Sequence, residues 1–230
     1  MNAELIQIIS LICTMLCFII AIVFHEFYHA FVAYKLGDPT AKRTGRLSLN
    51  PINHIDLFGT IILPICLMVM NCPICGYAKP VPYNPRYFKD IRKGDFLVGI
   101  AGPLANFVIA LIGTGCYILL GLYTSGIQIA DATPFDYFIV IFRGQFLLQL
   151  ILLTLVFLFF YLLPIPPLDG SSIIALFIPF KYLPKWYQLQ RCSLPIFMAL
   201  VILVPYFLDI SPLSMYINVT AGNLFNMLIK

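Results

Sequence analysis

His25-Glu26-Phe27-Tyr28-His29 sets two imidazoles four residues apart and a carboxylate beside the first. On a helix, positions i and i+4 share one face, so both imidazoles can hold a single metal ion. Glu26, one residue round, can then act as general base toward a water activated by that metal. The H-E-x-x-H pattern is the chemistry of a zinc hydrolase. It uses two of the chain's three histidines and one of its two glutamates, Glu4 being the other. The motif lies near the end of an apolar run that starts at about Leu5, so the chemistry it implies belongs inside a membrane.

A hydrolytic zinc usually takes three protein ligands and keeps one position open. Candidates for the third are His54 and the aspartates of the apolar regions. Asp169 stands out among them. It closes Leu163-Pro164-Ile165-Pro166-Pro167-Leu168-Asp169-Gly170 at the end of a long, mostly apolar run. A carboxylate in that setting is costly unless it is paired or bound to a metal. Pro164 and Pro166 break the helix, and Gly170 lets the backbone approach closely. The plainer reading of Asp169 is an N-cap for a helix from Ser171 onward, and the two roles are compatible.

The elements that must position these groups are hydrophobic helices. Apolar residues make up 61% of the 230-residue chain and charged residues only 10%, against about a quarter charged in a soluble domain. The mean hydropathy is +0.94. The pattern predicts helices over about 5–36, 57–71, 96–123, 137–163, 171–181, 194–208 and 212–228. The expected fold is an all-α polytopic membrane protein with about five or six transmembrane helices in one domain over 1–230. Its core spans about 5–180, with helices 194–228 peripheral. The first run is too long for a signal-peptide core and lacks a basic leader, so it reads as a retained helix. The net charge of +4 comes from Lys and Arg between hydrophobic segments, which points to topology and the lipid bilayer, not to nucleic acid.

Two polar stretches, Thr40 to Asn50 and Gly76 to Asn84, alternate imperfectly and read as short membrane-embedded β-strands beside the site. A strand at membrane depth must lie against protein or a water-filled cavity. Val81, on the second stretch, would then offer an edge to an extended substrate. Ordinary polar loops are the alternative. Cys72-Pro-Ile-Cys75 is a lone C-x-x-C and reads as structurally incidental, since a zinc ribbon needs a second pair.

Charge fixes the expected topology. Lys35, Lys42, Arg43 and Arg46 follow the first helix, which places His25 and His29 roughly 10–15 Å along the helix from that surface, at about 1.5 Å per residue. A second basic loop (Lys79, Arg86, Lys89, Arg92, Lys93) follows 57–71, a short segment broken by Pro64. A re-entrant 57–71 keeps both loops on the cytoplasmic side and returns Asp169 to the depth of the histidines.

With these pieces in view, the chain resembles the site-2 protease family of intramembrane zinc metalloproteases, specifically its compact members without PDZ or CBS domains. The likeness covers about residues 15–175. It includes GRLSLNPINHID with FGT (45–60), GYAKPVPYNP (76–85) and AGPLANF (101–107) besides the two metal motifs. The resemblance implies His25, His29 and Asp169 as ligands of one Zn2+ per chain and Glu26 as the catalytic glutamate. It places Asn106, with Gly102 and Pro103, in a G-P-x-x-N helix at the core. It also implies hydrolysis of peptide bonds in or near a transmembrane segment of a membrane-protein substrate, from a multi-pass position in a prokaryotic plasma membrane. One departure stands at Tyr161, where the family usually has an Asn associated with handling the substrate helix. A phenol offers one hydroxyl in place of an amide's paired donor and acceptor.

Lesser candidates have plain alternatives. His54 in a polar loop can orient substrate or simply be hydrogen-bonded. Asn106 on an apolar helix can contact substrate or join helices. Two rival functions fit fewer residues. A metal transporter needs polar sites in succession through the membrane. A catalytically silent helix-binding regulator would have lost Glu26 or a ligand, and none is lost.

Overall fold

The computed structural model describes residues 3–56, 59, 62, 79–126, 133–208 and 211–230. Every regular element among them is helical. Among the described residues, three helices are long and apolar enough to cross a membrane: Glu4–Lys35, Ile91–Ser125 and Pro134–Tyr161. Together with the composition, they make this a membrane protein.

Helix α1 (Ala3–Lys35) carries the H-E-x-x-H motif. A four-residue helix α2 (Thr40–Arg43) follows. Helix α3 (Ile91–Ser125) starts earlier than hydropathy indicates, because the Asp90 carboxylate accepts from the backbone N–H groups of Arg92 and Lys93 and caps it there. Pro103 sits inside α3, in a stretch of buried small residues of which Gly102 faces the two histidines. Helix α4 (Pro134–Ile141) opens on a capping box between Thr133 and Asp136. A π-helical turn at Phe142–Leu147 joins it to α5 (Leu148–Tyr161).

The long helices α1, α3 and α5 pack on one another and form the centre of the molecule. Their polar groups are matched across the interfaces, as a low-dielectric setting demands. Thr14 Oγ1 donates to Gln149 Oε1 at 2.9 Å, and Gln149 Nε2 donates to Ser10 Oγ at 2.9 Å, tying α1 to α5. Arg143 donates to the Tyr117 carbonyl at 3.0 Å and lies 4.1 Å from that ring's centroid, so its charge is answered inside the helix pair.

Past α5 the chain doubles back through Leu162–Gly170 into α6 (Ser171–Ala175). Helix α7 (Leu183–Leu208) replaces the shorter helix expected at 194–208, because Pro184 is tolerated in its first turn. Helices α8 (Pro212–Ile217) and α9 (Asn223–Ile229) flank another π turn. Leu224 and Phe225 pack on the buried cluster of Ala110, Ile151 and Leu155. The last helices thus pack against the core through these residues.

The expected β-strands do not form among the described residues. Thr40–Asn50 holds α2 and a turn at Gly45, whose φ of +71° lies in the left-handed region that favours glycine. Residues 79–84 hold no regular secondary structure and have no ladder partner among the described residues. Apart from Gly59 and Ile62, the proposed re-entrant segment 57–71 lies outside the described residues, as do Cys72, Cys75 and 76–78.

Candidate metal centre

His25 and His29 project from one face of α1, both buried, at 2% and 8% exposure. Asp169 meets them from the loop after α5. His25 Nε2 lies 2.9 Å from Asp169 Oδ2, His29 Nε2 lies 3.3 Å from the same oxygen, and the two Nε2 atoms are 3.0 Å apart. Three donors of a tetrahedral zinc, each at about 2.0–2.1 Å from the metal, lie roughly 3.3 Å from one another. The triangle found here is of that size. Among the described residues it is the one group of three metal-capable side chains.

The surroundings fix which nitrogens face inward. His29 Nδ1 lies 2.6 Å from the Val98 carbonyl, which can only accept, so Nδ1 carries the hydrogen and Nε2 presents its lone pair to the site. His25 Nδ1 faces the Asn106 amide at 3.2 Å, deep in the protein. Asn106 Oδ1 otherwise has no partner among the described residues. A half-turn of that amide lets Oδ1 accept the His25 Nδ1–H and leaves Nε2 free to bind metal. The donor set therefore fits zinc on two counts, size and tautomer.

Close packing of α3 depends on Gly102. A Cβ built there would lie 2.4 Å from His29 Nε2 and 2.7 Å from His25 Nε2, inside the space of the ligands themselves. On the other side, Gly170 donates its N–H to the Tyr161 carbonyl at 2.7 Å, and a Cβ on it would lie 2.2 Å from the Leu162 carbonyl oxygen. That contact folds the Leu162–Gly170 loop tightly enough to return Asp169 to the histidines. The cap reading of Asp169 does not hold, because α6 has no side-chain cap.

A cavity of about 350 Å³ opens on the three donors. Glu26, 8% exposed, shares its wall with Tyr161 and with Val81, whose backbone N–H donates to Glu26 Oε2 at 2.9 Å. Leu194, Phe197 and Met198 of α7 line the same cavity, a contribution that sequence periodicity does not reveal. Pro167 reaches the wall, while Pro164 and Pro166 do not. His54 is 1% exposed and lies off the cavity, its Nε2 2.7 Å from the Ser48 carbonyl, in line with a hydrogen-bonded loop histidine.

Fold and site together define a membrane metalloprotease. A model of peptidase family M50, the site-2 protease family, matches residues 13–204, and the chain belongs to that family. It is 40% identical over 184 residues to a Bacillus subtilis protein described as putative zinc metalloprotease YwhC, covering 80% of this chain and 77% of that one. It is 32% identical over 146 residues to the putative zinc metalloprotease Rip2 of Mycolicibacterium smegmatis, covering 64% of this chain and 49% of the other. The Mycobacterium tuberculosis protein of that name is 28% identical over 155 residues, or 67% and 52% of the two chains. Thus the chain spans about half the length of the Rip2 proteins. No solved structure matches it. The protein is a zinc metalloendopeptidase.

Proposed function

We propose that this enzyme cleaves peptide bonds in or near transmembrane segments of other membrane proteins, using one Zn2+ held by His25, His29 and Asp169. The observation that carries the reading is that two of the three donors stand on a membrane-length helix and Asp169 meets them there, beside a cavity whose wall includes Glu26. A zinc ion bound by these donors supplies Lewis-acid chemistry and activates water at neutral pH.

The chain's own groups do the rest. Glu26 accepts a proton from the attacking water and passes it to the leaving amide nitrogen. The apolar cavity wall excludes bulk water and strengthens each polar interaction inside. A helical substrate hides its carbonyls in hydrogen bonds, so it must unwind locally before reaching the carboxylate. The basic loops around Lys42 and Lys79 favour a cytoplasmic opening, and the bacterial relatives favour a prokaryotic plasma membrane.

The test is cleavage of a reconstituted substrate helix by the native protein and by Glu26→Gln. Retained zinc with abolished cleavage supports the reading. Equal cleavage by both proteins sinks it.

A further inference from the structure

The segment Lys79–Asn84 contains Pro80 and Pro82, which have no N–H to give. Between them stands one donor, the Val81 N–H, and it is spent on Glu26 Oε2 at 2.9 Å. Val81 and Glu26 are 7% and 8% exposed, so water does not compete strongly for the contact. The Val81 side chain joins a buried cluster with Ala30, one helical turn beyond Glu26 on α1, and with Ala41. Backbone and side chain of Val81 therefore grip the same face of α1.

The strap carrying this donor is held along its length. Lys79 N–H donates to the His54 carbonyl at 3.0 Å. The Arg46 guanidinium donates to the Lys79 carbonyl and, at 3.3 Å, to that of Pro80. Tyr83 Oη donates to Asp95 Oδ1 at 2.7 Å, and Asn84 N–H donates to Asp38 Oδ2 at 2.6 Å. A backbone arm fixed at so many points is a rigid support.

We infer that the Val81 N–H is a positioning group for Glu26: it pins Oε2 to the strap and leaves Oε1 as the oxygen that takes the proton from water. A carboxylate with both oxygens free turns easily about its last torsion, which is broad and two-fold. One fixed N–H on Oε2 removes that freedom before substrate arrives. The same commitment withdraws Val81 from the role of substrate-docking edge. With the Lys79, Val81 and Asn84 donors engaged and none on Pro80 or Pro82, an incoming strand cannot take the Val81 N–H without releasing Glu26.

This inference rests on the proposed role of Glu26 as general base. Its test replaces Val81 by its α-hydroxy analogue, which turns the N–H into an ester oxygen and keeps the side chain. Two readouts are needed: kcat and KM on a reconstituted substrate helix, and the infrared carboxylate band of 13C-glutamate. In a Glu4→Gln background that label reports Glu26 alone, since the chain has two glutamates. The ester is expected to lower kcat by about 10- to 100-fold with KM within about twofold and zinc retained. It should also shift the Glu26 band to higher frequency. Val81→Ala, which keeps the N–H, is expected to leave the band in place. An unchanged band or unchanged kcat in the ester overturns the inference, and so does a raised kcat, which would show that the contact restrains the base. If the native protein cleaves nothing, the proposed function fails, while the band still decides whether the contact exists.

Discussion

Tyr161 lies against the imidazole of His25, with ring centroids 4.3 Å apart and planes inclined by 38°. The phenol stands where the family usually has an asparagine, and its neighbours explain how the site accommodates it. Phe157 and Phe160 meet its ring edge-on at 5.8 Å and 5.2 Å. A side chain packed on three sides keeps one orientation, and so does the imidazole beneath it.

The ring, more than the hydroxyl, is therefore expected to hold His25. Tyr161→Phe should bind zinc within about twofold of the native protein, while Tyr161→Ala should weaken it by roughly 10- to 100-fold, the usual effect of losing a group that orients a ligand. Competition with a chelator measures both. Equal zinc affinity in all three proteins excludes a positioning role for the ring.

Gly102 leads to a sharper expectation. Its missing side chain leaves space that the two histidines fill, since an added Cβ would come within 2.4 Å of His29 Nε2. The ligands cannot retreat, because Val98 and Asn106 hold their other nitrogens. Gly102→Ala should therefore lose bound zinc on purification while still reaching the membrane. Full metal occupancy, measured by elemental analysis, would count against this packing argument.

Much of this site was legible in the residues. His25, Glu26 and His29 announce their chemistry by type and spacing, and Asp169 does so as a carboxylate in apolar surroundings, without any tertiary information. Helix extents followed hydropathy wherever lipid sets the demand. What stayed hidden depends on the backbone or on distant packing. No side chain records that the Val81 N–H meets Glu26, although prolines on either side of one donor were a usable signal. The alternation in 76–84 suggested an edge strand because proline tolerates edges. In the described part of that segment one backbone partner is the His54 carbonyl, and the others are side chains of Arg46, Asp38 and Glu26. The place of α7 on the cavity wall was equally unreadable, since its apolar face looks the same whether it meets lipid or protein.

Metal removal should be reversible. Three donors already form the triangle, with the outer nitrogens of both histidines engaged, so little reorganisation separates the empty and loaded sites. Chelation should abolish cleavage, and stoichiometric zinc should restore it. Far-ultraviolet circular dichroism should stay unchanged throughout. Loss of helix on chelation would instead make the metal a folding element.

Asp38 tests whether the strap is held or merely rests in place. It is fully buried, and its two oxygens serve different partners. Oδ1 accepts from the Thr40 N–H at 2.9 Å, and Oδ2 accepts from the Asn84 N–H at 2.6 Å. Asp38→Ala strips the Asn84 donor of its partner and costs about 1–3 kcal/mol for an unpaired buried group. Since Asn84 is the end of the strap nearest α3, that cost should appear as local opening. Amide hydrogen exchange at Val81 and Asn84 should quicken, with exchange in the middle of α1 unaffected. Cleavage should then fall through kcat, because Glu26 loses the fixed donor on Oε2. Should Val81 exchange stay slow in Asp38→Ala, the Arg46 contacts to Lys79 and Pro80 alone suffice to hold the strap.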